Sequence, residues 1–200
     1  MSYKTLKRFF DIIGASLGII IIAPLAPLIA LAIKLESPGP VFVKLVRVSA
    51  AKKIEVYKFR SMINNADQFK LGLRHLNQRS DGPFFKIKND PRLTKTGKFI
   101  RKFRLDEFPQ LINVLKGDLS LVGPRPHEPE EITDYPTNYK DLIAVKAGVT
   151  GLSQVNGASS LPFIKELELD SYYVQNQNLW LDLKIIAKTL AILFFDPTAV

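Results

Sequence analysis

IIGASLGIIIIAPLAPLIALAI, residues 12–33, is a run of 22 residues without a charge, bracketed by Asp11 and Lys34. As one helix it would reach about 33 Å, enough to cross a hydrocarbon core. Pro24 and Pro27 sit in its middle. Each removes a helical hydrogen bond and crowds the preceding turn, so a sharp kink is expected. Lys4, Lys7 and Arg8 precede the run and Lys34, Lys44 and Arg47 follow it, a balance compatible with both ends staying on the cytoplasmic side. The pattern favours a re-entrant helix-break-helix. A kinked spanning helix competes with it, because prolines are tolerated in membrane helices. A cleaved leader is a third reading, since Ala30-Leu31-Ala32 resembles a small-x-small site.

Outward from that run, Ser37-Pro38-Gly39-Pro40 breaks the helix. Val41 to Val48 and Ile54 to Arg60 read as two short β segments joined by Ser49-Ala50-Ala51-Lys52-Lys53, the pattern of a hairpin. Residues 61–80 read as polar and helical, closed by Asp81-Gly82-Pro83. A cationic loop around Lys86, Lys88 and Arg92 follows. Thr96-Gly97 then introduces a basic amphipathic stretch, Lys98 to Leu105, suited either to an anionic membrane surface or to a solvated helix face packed on a core. Gly148 to Gly157 is a glycine-containing run that lets the backbone approach a ligand or simply turns tightly. Residues 161–175 are amphipathic and acidic, and 179–195 carry Leu179, Trp180, Leu183, Ile186, Ala187, Leu190 and Phe194 on an apolar face.

Two hundred residues suit one domain with its own core. The absence of cysteine removes disulfides and thiolate zinc sites, and His75 and His127 are too few and too far apart for a histidine metal centre. Any metal would be hard and oxygen-bound. The net charge of +9 is uneven: residues 34–126 hold 20 Lys and Arg against 8 Asp and Glu, whereas 127–200 hold 5 against 10. The middle of the chain therefore attracts anions. A nucleic-acid binder is disfavoured by the apolar N-terminus and the acidic last third, and Walker and dinucleotide-binding patterns are absent.

Within the basic middle lies Arg104-Leu105-Asp106-Glu107-Phe108-Pro109-Gln110. Apolar residues at Phe108, Leu111, Ile112 and Leu115 follow the helical period, Pro109 suits a first turn, and Gly117 is a natural stop. Asp106 and Glu107 thus fall at a helix head beside Arg101, Lys102 and Arg104. The helix end and these cations favour ionised carboxylates, able to hold a divalent cation or attack an electrophile. Adjacent helix positions point about a hundred degrees apart, which suits two tasks better than one. Taken alone, Asp-Glu at a helix start reads first as ordinary capping.

Several motifs in order change that balance. The chain resembles the monotopic phosphoglycosyl transferases, also called bacterial sugar transferases. The resemblance rests on the proline-broken apolar hairpin, Val56-Tyr57-Lys58-Phe59-Arg60-Ser61-Met62, Phe85 to Arg92, Arg104-Leu105-Asp106-Glu107, Asn113 to Asp118, Val122-Gly123-Pro124-Arg125-Pro126, Gly148 to Gly157, and Leu169-Asp170-Ser171-Tyr172-Tyr173. It is similar to minimal members that carry only the catalytic domain.

The resemblance implies an enzyme that transfers a sugar 1-phosphate from a nucleoside diphosphate sugar, usually a UDP-sugar, to polyprenyl phosphate and releases UMP, starting exopolysaccharide or other glycoconjugate assembly. It implies Mg²⁺ held at Asp106, Asp106 as the nucleophile that becomes a phosphosugar adduct, and Glu107 as a base or positioning group for the acceptor. Lys58, Arg60, Arg104 and Arg125, with Pro124, Pro126 and Gln154, are the implied phosphate and nucleotide contacts. The expected fold is α+β, mostly helical with a small β-hairpin. Residues 1–36 would form the re-entrant membrane helix and 37–200 a catalytic domain with amphipathic interfacial helices, facing the cytoplasm at a bacterial inner membrane. The bilayer is an expected partner, nucleic acid is not, and a homodimer is a further possibility. Departures from the usual pattern occur at Ala158 and Ser160, at Lys146-Ala147, at Ala50-Ala51 and at Ala23 before Pro24. They sustain an alternative: a catalytically weak membrane-bound paralogue that binds nucleotide sugar or assembly partners.

Overall fold

The computed structural model describes residues 2–157 and 160–195, a mostly helical α+β fold. The charge-free run becomes two helices, α1 (Tyr3–Ile22) and α2 (Ala26–Glu36), set at 60° to each other. Ser2 caps α1 by accepting from the Thr5 amide. The break falls at Ala23-Pro24-Leu25, where Pro24 has no N–H to continue the ladder and Pro27 is accommodated in the first turn of α2. No single described helix is long and apolar enough to cross a membrane, whereas the bent pair together has the length and composition. Its outward side is apolar: Ile20, Ile21, Leu28, Leu31 and Leu35 are all exposed, Leu35 at 79%.

α1 is packed into the core, which the sequence pattern did not indicate. Ala15 is fully buried with Val56, Leu111, Val114 and Leu119. Asp11, only 5% exposed, accepts from the Ser120 hydroxyl and from the Leu121 amide at 2.8 Å. Lys7 pairs with Asp182 at 2.9 Å, and Arg8 donates to the carbonyls of Val114 and Leu115. These cations, read from sequence only as topology signals, tie the first helix to distant parts of the chain.

The hairpin is β1 (Phe42–Ser49) paired antiparallel with β2 (Lys52–Phe59), Phe42 opposite Phe59 and Ser49 opposite Lys52. Its turn is two residues, not the five expected: Ala50 and Ala51 both take left-handed backbone angles, φ 50° and 60°. That conformation crowds a Cβ. Hydrogen bonds from their amides to the carbonyls of Val145 and Ile143 hold it in place.

Residues 61–80 depart from the helical expectation. They form only two short 3-10 turns, Ala66–Phe69 and Arg74–Leu76, with no buried residue in either. Phe69, Leu71 and Leu76 stay exposed, so the segment buries too little apolar surface to offset the cost of helix nucleation.

The remaining helices and strands are α3 (Lys95–Lys102), α4 (Gln110–Lys116), β3 (Ser120–Val122), α5 (Pro129–Thr133), β4 (Gly148–Thr150), α6 (Leu152–Val155), α7 (Phe163–Asn176) and α8 (Leu179–Phe195), with 3-10 segments at Leu105–Glu107 and Thr137–Ala144. β3 and β4 pair in parallel, Ser120 opposite Gly148, and form a second two-stranded sheet inside what sequence showed only as a loop. Asn113, fully buried on α4, accepts from the Tyr57 amide and donates to the Glu55 carbonyl. That side chain fastens α4 to the edge of β2 and so fixes what precedes α4 against the hairpin.

Candidate active site

Arg104 adopts a left-handed conformation, φ 53°, and reverses the chain after α3. Leu105–Glu107 then form a single 3-10 turn, and α4 begins only at Gln110 with Pro109 at its cap position. Asp106 and Glu107 therefore precede the helix instead of opening it, while Gly117 ends α4 with φ 88° as expected. Leu105 anchors the turn by packing against Ile29, Ile33, Phe59 and Ile100.

The two carboxyls differ as their divergent directions suggested. Asp106 is 6% exposed. Burial pushes its pKa up to about 6, against the pull of Lys58 and Arg101 and with the help of Glu107's charge. Glu107 pairs with Lys58 at 2.5 Å. Burial works upward on Glu107 too, but the charge and hydrogen bond of Lys58, with Arg125 and Arg104, outweigh it and hold this carboxyl below the usual range. The expected downward pull of nearby cations thus prevails at Glu107 and is outweighed at Asp106 by burial, which was invisible in the sequence, although a carboxyl near 6 is still ionised at neutral pH.

Both carboxylates open onto a cleft of ≈ 810 Å³ between the hairpin, the 3-10 turn and the loop after β3. Lys58, Arg104, Arg125, Pro126 and Gln154 line it with them. Gln154 is oriented by donating to the Val149 carbonyl at 3.0 Å. Two expected contacts behave differently. Pro124 is not among the cleft's residues; its carbonyl accepts from Gly148 and ties the loop to β4. Arg60 reaches the cleft wall but its terminal nitrogens donate to the carbonyls of Ser37 and Pro38, at 2.5 and 2.7 Å. Gly39 makes room for it: a Cβ there would lie 2.1 Å from the guanidinium. Arg60 therefore holds the linker after α2.

Other cleft residues were not singled out as contacts, Arg101, Lys86 and Gln110 among them. Arg101 donates to Ser61 at 2.9 Å and faces Asp106 from α3. Lys86 and the nearly buried Gln110 also line the cleft. For Arg101 the signal was present, one cation a helical turn upstream of the Asp-Glu pair; for Gln110 there was none.

Comparison with known proteins decides the family. Residues 2–196 match the family described as bacterial sugar transferase. The chain belongs to the bacterial sugar transferases. This sugar transferase is 41% identical over 200 residues to the galactosyl transferase CpsE of Streptococcus agalactiae, covering 99% of the chain and 44% of that protein. It is 40% identical over 206 residues to the UDP-glucose:undecaprenyl-phosphate glucose-1-phosphate transferase of Klebsiella pneumoniae, covering 96% of the chain and 41% of the relative. It is also 39% identical over 186 residues to the uncharacterized sugar transferase EpsL of Bacillus subtilis, covering 92% of the chain and 85% of EpsL. The chain thus spans less than half the length of the first two relatives.

Among the described residues no group of three or more acidic, histidine or cysteine side chains gathers as a metal cage. Mg²⁺ does not need one, since it commonly binds through one or two carboxylates plus substrate phosphates and water. Asp106 fits that role: its carboxylate lines the cleft and, among the described residues, pairs with no cationic side chain within salt-bridge distance. Of the departures from the family pattern, those at Lys146-Ala147 and Ala50-Ala51 fall away from the cleft. Ala147 is buried in the core beside Leu119, Lys146 lies near the end of α4, and Ala50-Ala51 form the distal hairpin turn. Ala158 lies outside the described residues.

Proposed function

We propose that this sugar transferase moves a sugar 1-phosphate from a UDP-sugar to polyprenyl phosphate through a covalent adduct on Asp106. The observation that carries the reading is a buried carboxylate at the wall of a cation-lined cleft, with a separately charged Glu107–Lys58 pair beside it. An oxygen of Asp106 attacks the sugar-bearing phosphorus, the bond from that phosphorus to the bridging oxygen breaks, and the electron pair leaves with UMP. An oxygen of the acceptor phosphate then attacks the same phosphorus and restores the Asp106 carboxylate. Glu107, kept ionised by Lys58, positions the acceptor or takes its proton. Arg104 and Arg125 offset the charge that accumulates on the diphosphate. When bound at Asp106, Mg²⁺ would add further neutralisation of the same oxygens.

The undecaprenyl-phosphate named for the Klebsiella relative supports a polyprenyl acceptor, and its UDP-glucose supports a uridine donor. The bent helix pair would carry the protein into one leaflet of the inner membrane, with both ends cytoplasmic. Exposed Phe99 and Phe103 around α3, and Trp180, Leu183 and Leu190 on α8, would rest at the interface. Intact-protein mass spectrometry after mixing the protein with Mg²⁺ and a panel of UDP-sugars tests the chemistry. A mass gain of one sugar phosphate on Asp106, with one equivalent of UMP, is expected. UMP release without any adduct would refute the covalent route.

A further inference from the structure

Behind the Pro124-Arg125-Pro126 loop lies a buried acidic cluster that the proposed chemistry does not use. Glu166 and Asp170 stand four residues apart on α7, hence on one face, and are 1% and 2% exposed. Neither proline flanking Arg125 has an N–H, so the Arg125 amide is the tripeptide's only backbone donor, and Asp170 accepts it at 3.1 Å. One Glu166 oxygen lies 3.8 Å from Nε of Arg125 and 3.3 Å from Nε2 of His127. The other ring nitrogen of His127 meets the buried Tyr135 hydroxyl. Arg79 adds its charge to the field on Glu166.

Glu166 Oε2 is buried without a hydrogen-bond partner, and Asp170 faces the fully buried Ser153 hydroxyl. Such a cluster is costly to bury, and an apolar face on α7 would pack the loop more cheaply. What the carboxylates add is orientation. Glu166 approaches Arg125 on its Nε side, and the side chain, with its two terminal amino groups, lines the cleft. Those two groups match the fork geometry that binds a phosphate through paired donors.

We propose that Glu166 and Asp170 are positioning residues for Arg125, one fixing its guanidinium and the other its backbone, so that it presents two donors to the diphosphate of a nucleotide. The inference rests on the donor-site reading of the cleft. UDP, as a probe carrying the diphosphate, tests it by calorimetry on the full chain in detergent. Arg125→Ala should weaken UDP binding strongly, and Glu166→Gln and Asp170→Asn should each weaken it by about tenfold. Each double variant with Arg125→Ala should bind no more weakly than Arg125→Ala alone, because the carboxylates act through that side chain. Arg125→Lys should not restore affinity, since one ammonium lacks the fork.

Multiplying losses in the double variants would overturn the proposal, as would unchanged UDP affinity in both single variants. The two carboxylates give independent cycles, so a folding defect in one leaves the other as the test. UMP release from UDP-sugars is scored separately. Coupling to UDP without any release by the unmodified protein would sink the transferase reading and leave this one standing.

Discussion

Replacing Asp106 by Asn should abolish transfer and make the protein more stable. The side chain is almost wholly buried, and burial raises its pKa from 3.8 to about 6. At about 1.36 kcal/mol per pH unit, that rise corresponds to about 3 kcal/mol held against the folded state while the carboxyl is ionised. Asn keeps the shape of the neutral carboxyl and removes the charge. Lys58 retains Glu107 as its partner at 2.5 Å, so no buried cation is orphaned. The penalty is in force above pH 6, where the folded carboxyl has lost its proton, and it fades as pH falls toward 3.8, where folded and unfolded chains are both protonated. Asp106→Asn should therefore raise the melting temperature at pH 8 by about 6–12 °C, at 2–4 °C per kcal/mol for a chain of this size. The gain should shrink markedly at pH 5. Thermal melts in one detergent at both pH values measure it, and adduct mass spectrometry on the same samples measures the lost chemistry. A less stable Asn variant at pH 8, or a gain that does not change with pH, would refute the claim that the carboxylate is held in place at an electrostatic cost.

Arg60→Ala should destabilise the fold by about 2–4 kcal/mol, since charge-assisted hydrogen bonds to the Ser37 and Pro38 carbonyls are lost; a denaturation midpoint unchanged from that of the unmodified protein would show that the linker does not depend on it. The Ala50→Gly/Ala51→Gly pair should add about 1–2 kcal/mol by relieving two left-handed alanines; equal or lower stability in urea would mean that the anchoring at Val145 and Ile143 already removes the strain. Because the chain has no cysteine, Ser2→Cys and Lys53→Cys report topology cleanly: neither should react with an impermeant thiol reagent in intact cells, and labelling at one position alone would establish a spanning helix.

What could be read from the sequence was what local chemistry decides. The proline break, the hairpin strands, the Gly117 stop and the last two helices follow from periodicity and from residues with restricted backbones. The Asp-Glu pair and Pro-Arg-Pro were visible as motifs. What could not be read depended on partners far along the chain. Asp11 looked like the boundary of an apolar run, because Ser120 and Leu121, which bond it, lie more than a hundred residues away. β3 and β4 are three residues each, too short for alternation to declare itself. Arg60 and Arg125 carry the same charge in similar motif contexts, yet one reaches back to two carbonyls and the other faces the cleft. Only the path of the linker after α2 separates them.

The same distant contacts make the bent pair more than an attachment. Its two arms grip the stretch from Leu105 to Lys116 at opposite ends. α2 contributes Ile29 and Ile33 to the cluster that seats Leu105, directly before Asp106. α1 places Arg8 on the carbonyls of Val114 and Leu115, where a cation also complements the negative end of the α4 dipole. Asn113 holds the middle of that stretch to β2. The position of Asp106 is thus set jointly by the hairpin and by both helices of the apolar run. An isolated 37–200 fragment would lose Ala15 from the core, the caps on α4 and the seat of the 3-10 turn together. The Asp106 turn and the apolar helices are thus joined by direct contacts, Leu105 seated on α2 and the end of α4 held by α1.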